Sequence, residues 1–383
     1  MKIVADPQIP QVDRAFAGIA DLQFCNGREL TPASLADADA LLVRSVTRVD
    51  RKLLQGSSIR YVATATSGID HVDTGYLQET GIGFDSAHGS NARSVAEYVL
   101  SALFVLAEQQ QFNLFSKTVG IIGAGKVGSV LSCMLSALGI SCLLNDPPLQ
   151  EISGDSKYRS LEEALSADII SLHVPLTKSG RYSTLNLINT NTLSQMKADA
   201  VLVNTSRGTV VDEAALMQSN HARGKRAILD VWENEPDINT LTLSGIAIGT
   251  PHIAGYSLDA RMRATSMVHE GLCRFFGVEN DWSCGGDWQD LNRLALTFSD
   301  SLTDEDIITM AVLSHYDVRS DAASLRRLLE VDEDKRGYFF DQLRKNYPVR
   351  REFAATSIQL PQGRQAVAGQ LRAAGFSVPE MVA

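Results

Sequence analysis

The chain has 383 residues, of which 44% are hydrophobic and 21% are charged, as is typical of a globular protein with sizeable cores. At roughly 150 residues per domain, this length predicts two or three domains. The formal net charge of −10 argues against a surface for nucleic acid or anionic membrane, so neither is expected as a partner.

The five cysteines are scattered along the chain, without the C-x-x-C spacing of a metal or redox site. An odd number without ligand spacing predicts reduced thiols and no bound metal. No signal peptide precedes the first predicted strand, and no apolar run reaches the roughly 18 residues of a membrane span. These features predict a cytoplasmic protein.

The first 90 residues alternate short apolar runs with helical or turn segments, which predicts a small parallel α/β domain. The predicted strands are residues 2–6, 22–25, 40–44, 61–66 and 83–85. Arg44, Ser45 and Thr66 fall at or near strand ends, where open parallel sheets form their ligand crevices. We expect these three residues to contact an anionic group.

A long helix is predicted from Asn91 to about residue 109, and a nucleotide-binding unit follows at residues 118–146. There, a short apolar run is followed by GAGKVG, by apolar residues at helical spacing, by a second apolar run and by an acid. A dinucleotide-binding βαβ unit requires this order. The motif comprises Gly123, Ala124, Gly125, Lys126, Val127 and Gly128. Its glycines allow a tight turn, close approach of a pyrophosphate, and close packing of helix and strand.

Asp146 ends this unit, 18 residues after Gly128, at the spacing of an acid that accepts hydrogen bonds from ribose hydroxyls. A carboxylate there would repel a 2′-phosphate, so the predicted cofactor is NAD and not NADP.

Four more strands are predicted after Asp146, each followed by polar residues that should face one cleft; they cover residues 168–173, 200–204, 227–231 and 246–249. The predicted fold is α/β, with two doubly wound parallel-sheet (Rossmann/flavodoxin-like) domains plus a C-terminal α+β domain. The predicted bounds are 1–92 with 258–281 for the substrate domain, 93–257 for the NAD domain, and 282–383 for the last domain.

Arg207, Glu235 and His252 follow three of these strands and suit the oxidation of an alcohol beside a carboxylate. A bidentate arginine can hold the carboxylate, and a histidine can take the hydroxyl proton as hydride leaves. An acid can orient that histidine and stabilise its protonated form. His173 also ends a strand, but no acid follows it, so we expect it to line the cleft or pack.

The sequence resembles the D-isomer-specific 2-hydroxyacid dehydrogenases over roughly residues 1–280. The stretches that carry the resemblance are GAGKVG, SLHVPLT, NTSRGTVVDEAAL, DVWENEP and TPHIAG, with Asp146, in the family's order. The resemblance implies that Arg207 and Glu235 are the family's Arg and Glu, and that His252 is its acid/base. It places Thr205, Ser206, Arg207, Asp230 and Gly255 along the NAD site. Val174 stands there where many relatives carry Thr, so any side-chain hydrogen bond from that position is lost.

Further stretches, including HYDVRSDAASLR and FDQLRKNYPVRREF of the tail (residues 282–383), resemble a narrower group of this family. That resemblance implies a phosphorylated 2-hydroxy acid substrate contacted by Ser45, Thr66 and Tyr256, and a homodimer formed through the C-terminal domain. We also hypothesise that part of the arginine-rich run, which includes Arg350 and Arg351, closes over the substrate phosphate, either of the same subunit or of the partner subunit.

Alternatives remain open at this point. The chain could oxidise another 2-hydroxy acid such as 3-phosphoglycerate, although the tail argues against it. It could also be a non-catalytic, NAD-sensing corepressor-like protein, because a fold alone does not settle function. A purely structural dimerisation protein with a vestigial site is the third alternative.

Overall fold

The computed structural model describes residues 1–219, 224–279 and 282–380. The chain divides into two compact units, and each combines two separate stretches of sequence. The first comprises Met1–Asn91 and Ser257–Leu291, and the second comprises Ala92–Tyr256 and Asn292–Ala383. The C-terminal stretch therefore groups with the predicted NAD domain, and a separate third domain stays a prediction.

The first unit is built on a parallel five-stranded sheet of order β2-β1-β3-β4-β5, the flavodoxin-like doubly wound order. Residues of β3 and β4 are buried throughout, as expected of strands covered on both faces. The strands are β1 Lys2–Ala5, β2 Asp21–Phe24, β3 Ala40–Val43, β4 Tyr61–Thr64 and β5 Gly83–Ser86. The helices are Val12–Ala15, Arg51–Leu54, Thr74–Thr80 and Leu258–Phe276.

The second unit contains a parallel six-stranded sheet of order β11-β10-β9-β8-β6-β7. The chain order reverses between β6 and β8, and ligands of such sheets bind outside the carboxyl ends of strands at this switch point. The strands are β6 Thr118–Ile122, β7 Ser141–Asn145, β8 Ile169–Leu172, β9 Val201–Asn204, β10 Ala227–Leu229 and β11 Ile248–Gly249. The helices are Ala92–Gln110, Lys126–Ala137, Pro147–Ser153, Leu161–Leu165, Thr190–Gln195, Glu213–Gln218 and Thr240–Gly245.

The C-terminal part of this unit is α+β, as predicted. Its strands β12 Leu294–Thr297 and β13 Thr356–Gln359 pair in parallel, and its helices are Asp304–His315, Arg319–Arg326, Arg336–Lys345 and Gln365–Ala374. The first of these helices packs on Ala92–Gln110, which is buried on almost every face, and the last packs on Lys126–Ala137. One apolar core therefore joins the tail to the nucleotide-binding sheet.

Buried polar contacts reinforce this core. The Ser94 hydroxyl donates to Glu352 at 2.7 Å, and the Phe353 amide donates to Glu97 at 3.0 Å. Arg350 donates to the carbonyl oxygens of Ser94 and Ala254. Arg350 and Arg351 are only 8% and 7% exposed. Their burial is contrary to a solvated face, whereas the hypothesis that part of the run closes over the substrate phosphate stays a prediction.

No helix in the described ranges combines the length and the apolar character that a membrane crossing needs.

The first prediction comes from the contact between helix Lys126–Ala137 and the glycine loop that follows β6. A Cβ at Gly128 would overlap the Gly123 carbonyl oxygen. Gly128→Ala should therefore destabilise the second unit by about 1–3 kcal/mol, as overpacking does, and lower its thermal midpoint. Gly369→Ala is the matched control, because its Cβ would meet no atom within 4 Å inside helix Gln365–Ala374. The control should keep or raise the midpoint, and an unchanged midpoint for Gly128→Ala would contradict the close contact.

Candidate active site

The glycine loop follows β6 directly and turns into helix Lys126–Ala137. Gly123 has φ +91°, a backbone conformation that favours glycine, and a Cβ there would come within 2.6 Å of the His173 carbonyl oxygen. Gly125 caps the helix and faces open space, so its backbone remains accessible to a ligand. A helix start of this kind presents free N–H groups to a phosphate, and Lys126 and Val127 form its first turn.

Asp146 lies beside this loop, at the end of β7. One carboxylate oxygen accepts a hydrogen bond from the Ala124 amide at 2.9 Å, and the other accepts from Leu149 at 3.0 Å. The second bond caps helix Pro147–Ser153. The same acid thus holds the glycine loop and places negative charge beside it, and a glycine turn with an adjacent acid fits a dinucleotide.

His173 ends β8 and is held through both ring nitrogens. Nε2 lies 2.8 Å from the Ser171 hydroxyl, and Nδ1 lies 3.4 Å from the Thr205 hydroxyl. Burial lowers the pKa of His173 to about 3, so the ring is neutral near pH 7. This agrees with the expectation that His173 lines the cleft or packs. Val174, next in the chain, offers only methyl groups beside Gly123.

The turn after β9 is organised by Asn204, a residue that the sequence analysis missed. Its side-chain oxygen accepts from the amide and the hydroxyl of Ser206, at 3.0 and 2.7 Å, and its amide donates to the Arg207 carbonyl at 2.9 Å. A Cβ at Gly208 would overlap the backbone of Trp232, so the turn lies against the segment after β10. Half-buried Arg207 is fixed by a 2.7 Å bond to the Ser206 carbonyl. The position of Asn204, directly before the TSRG motif, was the available signal.

Asp230 shapes the loop that carries His252. Its buried carboxylate accepts from the Thr250 hydroxyl at 2.6 Å and from the amides of Ile253 and Ala254 at 2.8 and 3.0 Å. Its carbonyl accepts from the His252 amide at 2.8 Å. Burial raises the pKa of Asp230, against the opposing effect of His252 and of these bonds. The NAD contact of Asp230 stays a prediction, and the bonds that Asp230 makes fix the backbone of residues 252–254, which Gly255 follows.

His252 and Glu235 form the dyad that their motifs predicted. His252 Nδ1 lies 2.7 Å from one Glu235 carboxylate oxygen, and the Trp232 amide donates to the other at 2.9 Å. Burial raises the pKa of Glu235, but His252 outweighs burial and leaves it lowered, so the acid is ionised near neutral pH. Nε2 of His252 has no hydrogen-bond partner in the described part of the chain, and the side chain is 34% exposed. This nitrogen is thus available to a reacting group.

Tyr256 connects this loop to the tail. Its ring lies edge-on to Tyr347, with ring centres 6.1 Å apart, and the Tyr347 hydroxyl donates to Asp321 at 2.8 Å. The tail therefore contributes side chains next to a predicted substrate-binding residue.

The remaining candidates belong to the first unit and meet at the carboxyl edge of its sheet, since β3 and β4 are neighbours. Arg44 donates to Asp6 at 3.1 Å and to Gln8 at 2.8 Å, so part of its charge is already paired. Ser45 is exposed, and the Thr66 hydroxyl donates to the Gly68 carbonyl at 2.9 Å. Within this unit the predicted anion contacts are thus grouped.

Comparison with known proteins agrees with this geometry. Residues 95–254 match the family described as D-isomer specific 2-hydroxyacid dehydrogenase, NAD binding domain, and residues 290–375 match a domain of unknown function (DUF3410). Erythronate-4-phosphate dehydrogenase of Marinobacter nauticus is 42% identical over 99% of this chain and 100% of its own length. The protein of that name from Proteus mirabilis is 41% identical over 98% and 99%.

The chain belongs to the erythronate-4-phosphate dehydrogenase family of D-isomer-specific 2-hydroxyacid dehydrogenases. Solved structures of the wider family share its fold. D-lactate dehydrogenase of Aquifex aeolicus, complexed with NAD and lactic acid, is 25% identical with a TM-score of 0.58, over 72% of this chain and 96% of that one. NAD-dependent formate dehydrogenase of Staphylococcus aureus, in complex with NAD, is 26% identical with a TM-score of 0.59, over the same shares. Like its family, the chain is an NAD-dependent dehydrogenase.

Asp146 provides a test of cofactor choice. Asp146→Ser keeps a capping oxygen for helix Pro147–Ser153 but removes the charge beside the glycine loop. The variant should lose charge-assisted bonds to the ribose of NAD, which should raise its Kd for NAD by roughly tenfold or more. It should bind NADP more tightly than the wild type does, because the carboxylate that repels a 2′-phosphate is gone. Fluorescence titration of both nucleotides measures the ratio. A variant that keeps the wild-type preference for NAD would show that Asp146 serves only the loop.

Proposed function

We propose that this protein oxidises 4-phospho-D-erythronate with NAD⁺ to 2-oxo-3-hydroxy-4-phosphobutanoate and NADH, in the biosynthesis of pyridoxal 5′-phosphate. The observation that carries the proposal is the His252–Glu235 pair at 2.7 Å, on the same compact unit as the glycine loop. The substrate is taken from the name of relatives that match 99% of the chain, its tail included.

His252 is the proposed general base for the C2 hydroxyl. Glu235 accepts a hydrogen bond from Nδ1–H, which leaves the lone pair of Nε2 to take the hydroxyl proton as the C2–H bond breaks. The ionised Glu235 then stabilises the imidazolium that forms. Bound NAD⁺ supplies the acceptor for the hydride from C2. The released proton stays on His252 until solvent removes it.

Arg207 is proposed to hold the C1 carboxylate and to polarise the C2 oxygen, since a guanidinium matches a carboxylate through two parallel bonds. Its backbone is fixed by Asn204, so the cation is placed by a rigid turn. Ser45, Thr66 and Tyr256 are the proposed substrate contacts, with Arg44 a further anion contact. Thr205, Ser206, Val174, Asp230 and Gly255 are the proposed remainder of the NAD site.

Two other functions predict different outcomes. Phosphoglycerate dehydrogenase activity would share the dyad, but the full-length match to erythronate-4-phosphate dehydrogenases disfavours it. A corepressor-like NAD sensor would bind NAD without turnover, so it would not need His252 paired with an ionised Glu235 and with its Nε2 available to substrate. NAD reduction with 4-phosphoerythronate, 3-phosphoglycerate, D-lactate and D-glycerate separates them: the proposal requires the highest kcat/KM for 4-phosphoerythronate, and no turnover on any of the four would reject it.

Substitution of the dyad gives the sharper test. His252→Ala should lower kcat by roughly 10²–10⁴-fold, the range for a lost general base. Glu235→Gln keeps the shape of the side chain but not its charge, and should lower kcat by less. Both variants should bind NAD with the wild-type Kd, because neither residue belongs to the glycine loop or its Asp146 brace. Wild-type turnover by His252→Ala would refute its role.

We further propose a cytoplasmic homodimer that forms through the C-terminal stretch and binds no nucleic acid. Several large apolar side chains remain exposed there, among them Met310 at 45%, Tyr338 at 71% and Val349 at 50%. A second copy of the chain would cover them, and this accords with the net charge of −10, which disfavours a nucleic-acid partner.

Light scattering tests the dimer. The wild type should have about twice the 41.6 kDa mass of one chain, and Tyr338→Asp should weaken association at least tenfold. Leu241→Asp is the matched control, since Leu241 is also 71% exposed but lies on helix Thr240–Gly245 outside the tail. Equal effects of both variants would place the interface elsewhere.

A further inference from the structure

Arg344 is a cation of the tail that lies beside the candidate active site. It belongs to helix Arg336–Lys345, and its guanidinium carbon is 5.8 Å from the centre of the Tyr256 ring. Tyr256 follows His252 by four residues on the loop that Asp230 braces. Both partners of this contact belong to the second compact unit.

The guanidinium of Arg344 lacks the partners that other arginines of the tail have. Its Nε is buried without a hydrogen bond, and the group makes no ion pair within residues 1–219, 224–279 and 282–380. Arg350, by contrast, donates to two backbone carbonyls, and Arg364 bonds Asp304 and two carbonyls. A buried donor without an acceptor is unfavourable, so this position is suited to an acceptor that arrives with a ligand.

Two of the acids near Arg344, Glu235 and Asp230, are already committed to other groups. Both oxygens of Glu235 are occupied, by His252 and by the Trp232 amide, and both oxygens of Asp230 are bonded within its own loop. Burial alone lowers the pKa of Arg344, but Tyr256, Glu235, Asp230 and Asp341 of the same helix together outweigh it and keep the group charged. Arg344 is therefore a permanent cation with an unbonded donor, and it is close enough to Glu235 of the dyad to interact with its charge.

We infer that Arg344 binds the phosphate group of the substrate and so determines the preference for a phosphorylated 2-hydroxy acid. The inference rests on the proposed function, in which Arg207 takes the carboxylate at the other end of the substrate. A guanidinium donates two parallel bonds to phosphate, and an unphosphorylated analogue would leave these donors unpaired. The preference for phosphorylated over unphosphorylated substrates then comes from the tail, and not from Arg207, Glu235 and His252, which the family shares.

The test compares substrates that differ only in the phosphate. Arg344→Met should lower kcat/KM for 4-phospho-D-erythronate by roughly a hundredfold, through KM, and change the value for D-erythronate less than about threefold. Arg344→Lys should recover part of the loss, because it restores a charge without the bidentate fork. Lys345→Met is the matched control: it removes an exposed cation from the same helix and should change neither value.

Equal losses on both substrates would overturn the inference, since they would place Arg344 on the shared part of the substrate or in the fold. No loss on either would overturn it as well. Inorganic phosphate separates this result from failure of the proposed function. Even if the wild type did not oxidise 4-phosphoerythronate, phosphate should raise the thermal midpoint of the wild type and of Lys345→Met but not of Arg344→Met. Equal stabilisation of all three proteins would reject the phosphate site.

Discussion

The buried carboxylate of Asp230 is the constraint on which the candidate active site depends. His252 has φ +57°, a conformation that disfavours side chains with a Cβ and is kept only where the surroundings impose it. Asp230 imposes it through its bonds to Thr250, Ile253 and Ala254, while its carbonyl takes the His252 amide. Trp232, two residues after Asp230, donates from its ring to the Thr250 carbonyl at 3.0 Å. The ring of His252 therefore meets Glu235 without having to be ordered when substrate binds.

The division of roles among the acids follows from how each is solvated. Glu235 is partly exposed and faces a histidine, so its charge is favoured and the pKa is lowered. Glu97 is buried beside Glu352, and burial followed by that neighbour raises its pKa well above the ordinary range. Glu97 accepts a hydrogen bond from the Phe353 amide, and Glu352 accepts one from the Ser94 hydroxyl, so both acids hold the tail in place. Glu235 instead pairs with His252. Carboxylates of similar chemistry thus either hold the tail in place or pair with a histidine of the candidate site, according to their surroundings.

Much of this arrangement could be predicted from local sequence, because strands, glycine turns and caps are local features. The GAGKVG loop, Asp146 and the three polar strand ends all lie where their spacing predicted. The docking of the tail could not be predicted, since Ser94 and Glu352 are 258 residues apart and nothing in the stretch that contains Glu352 indicates Ser94 as its partner. The burial of Arg350 and Arg351 was missed for the same reason: a run of charges in sequence does not show which members find acceptors in the core. The left-handed backbone of His252 and the bracing by Asn204 likewise depend on partners that no periodicity reveals.

The shared core of tail and nucleotide-binding sheet explains how a C-terminal stretch could influence substrate choice. Helix Asp304–His315 packs on Ala92–Gln110, and helix Gln365–Ala374 packs on the helix that follows the glycine loop. A side chain carried by this framework, such as Tyr347 against Tyr256, is positioned by packing and not by a mobile linker. The dyad itself only requires an alcohol beside a carboxylate, which is common to the whole family. Recognition of the rest of the substrate has to come from residues other than the dyad. The tail can supply them, because it shares an apolar core with the unit that contains the dyad.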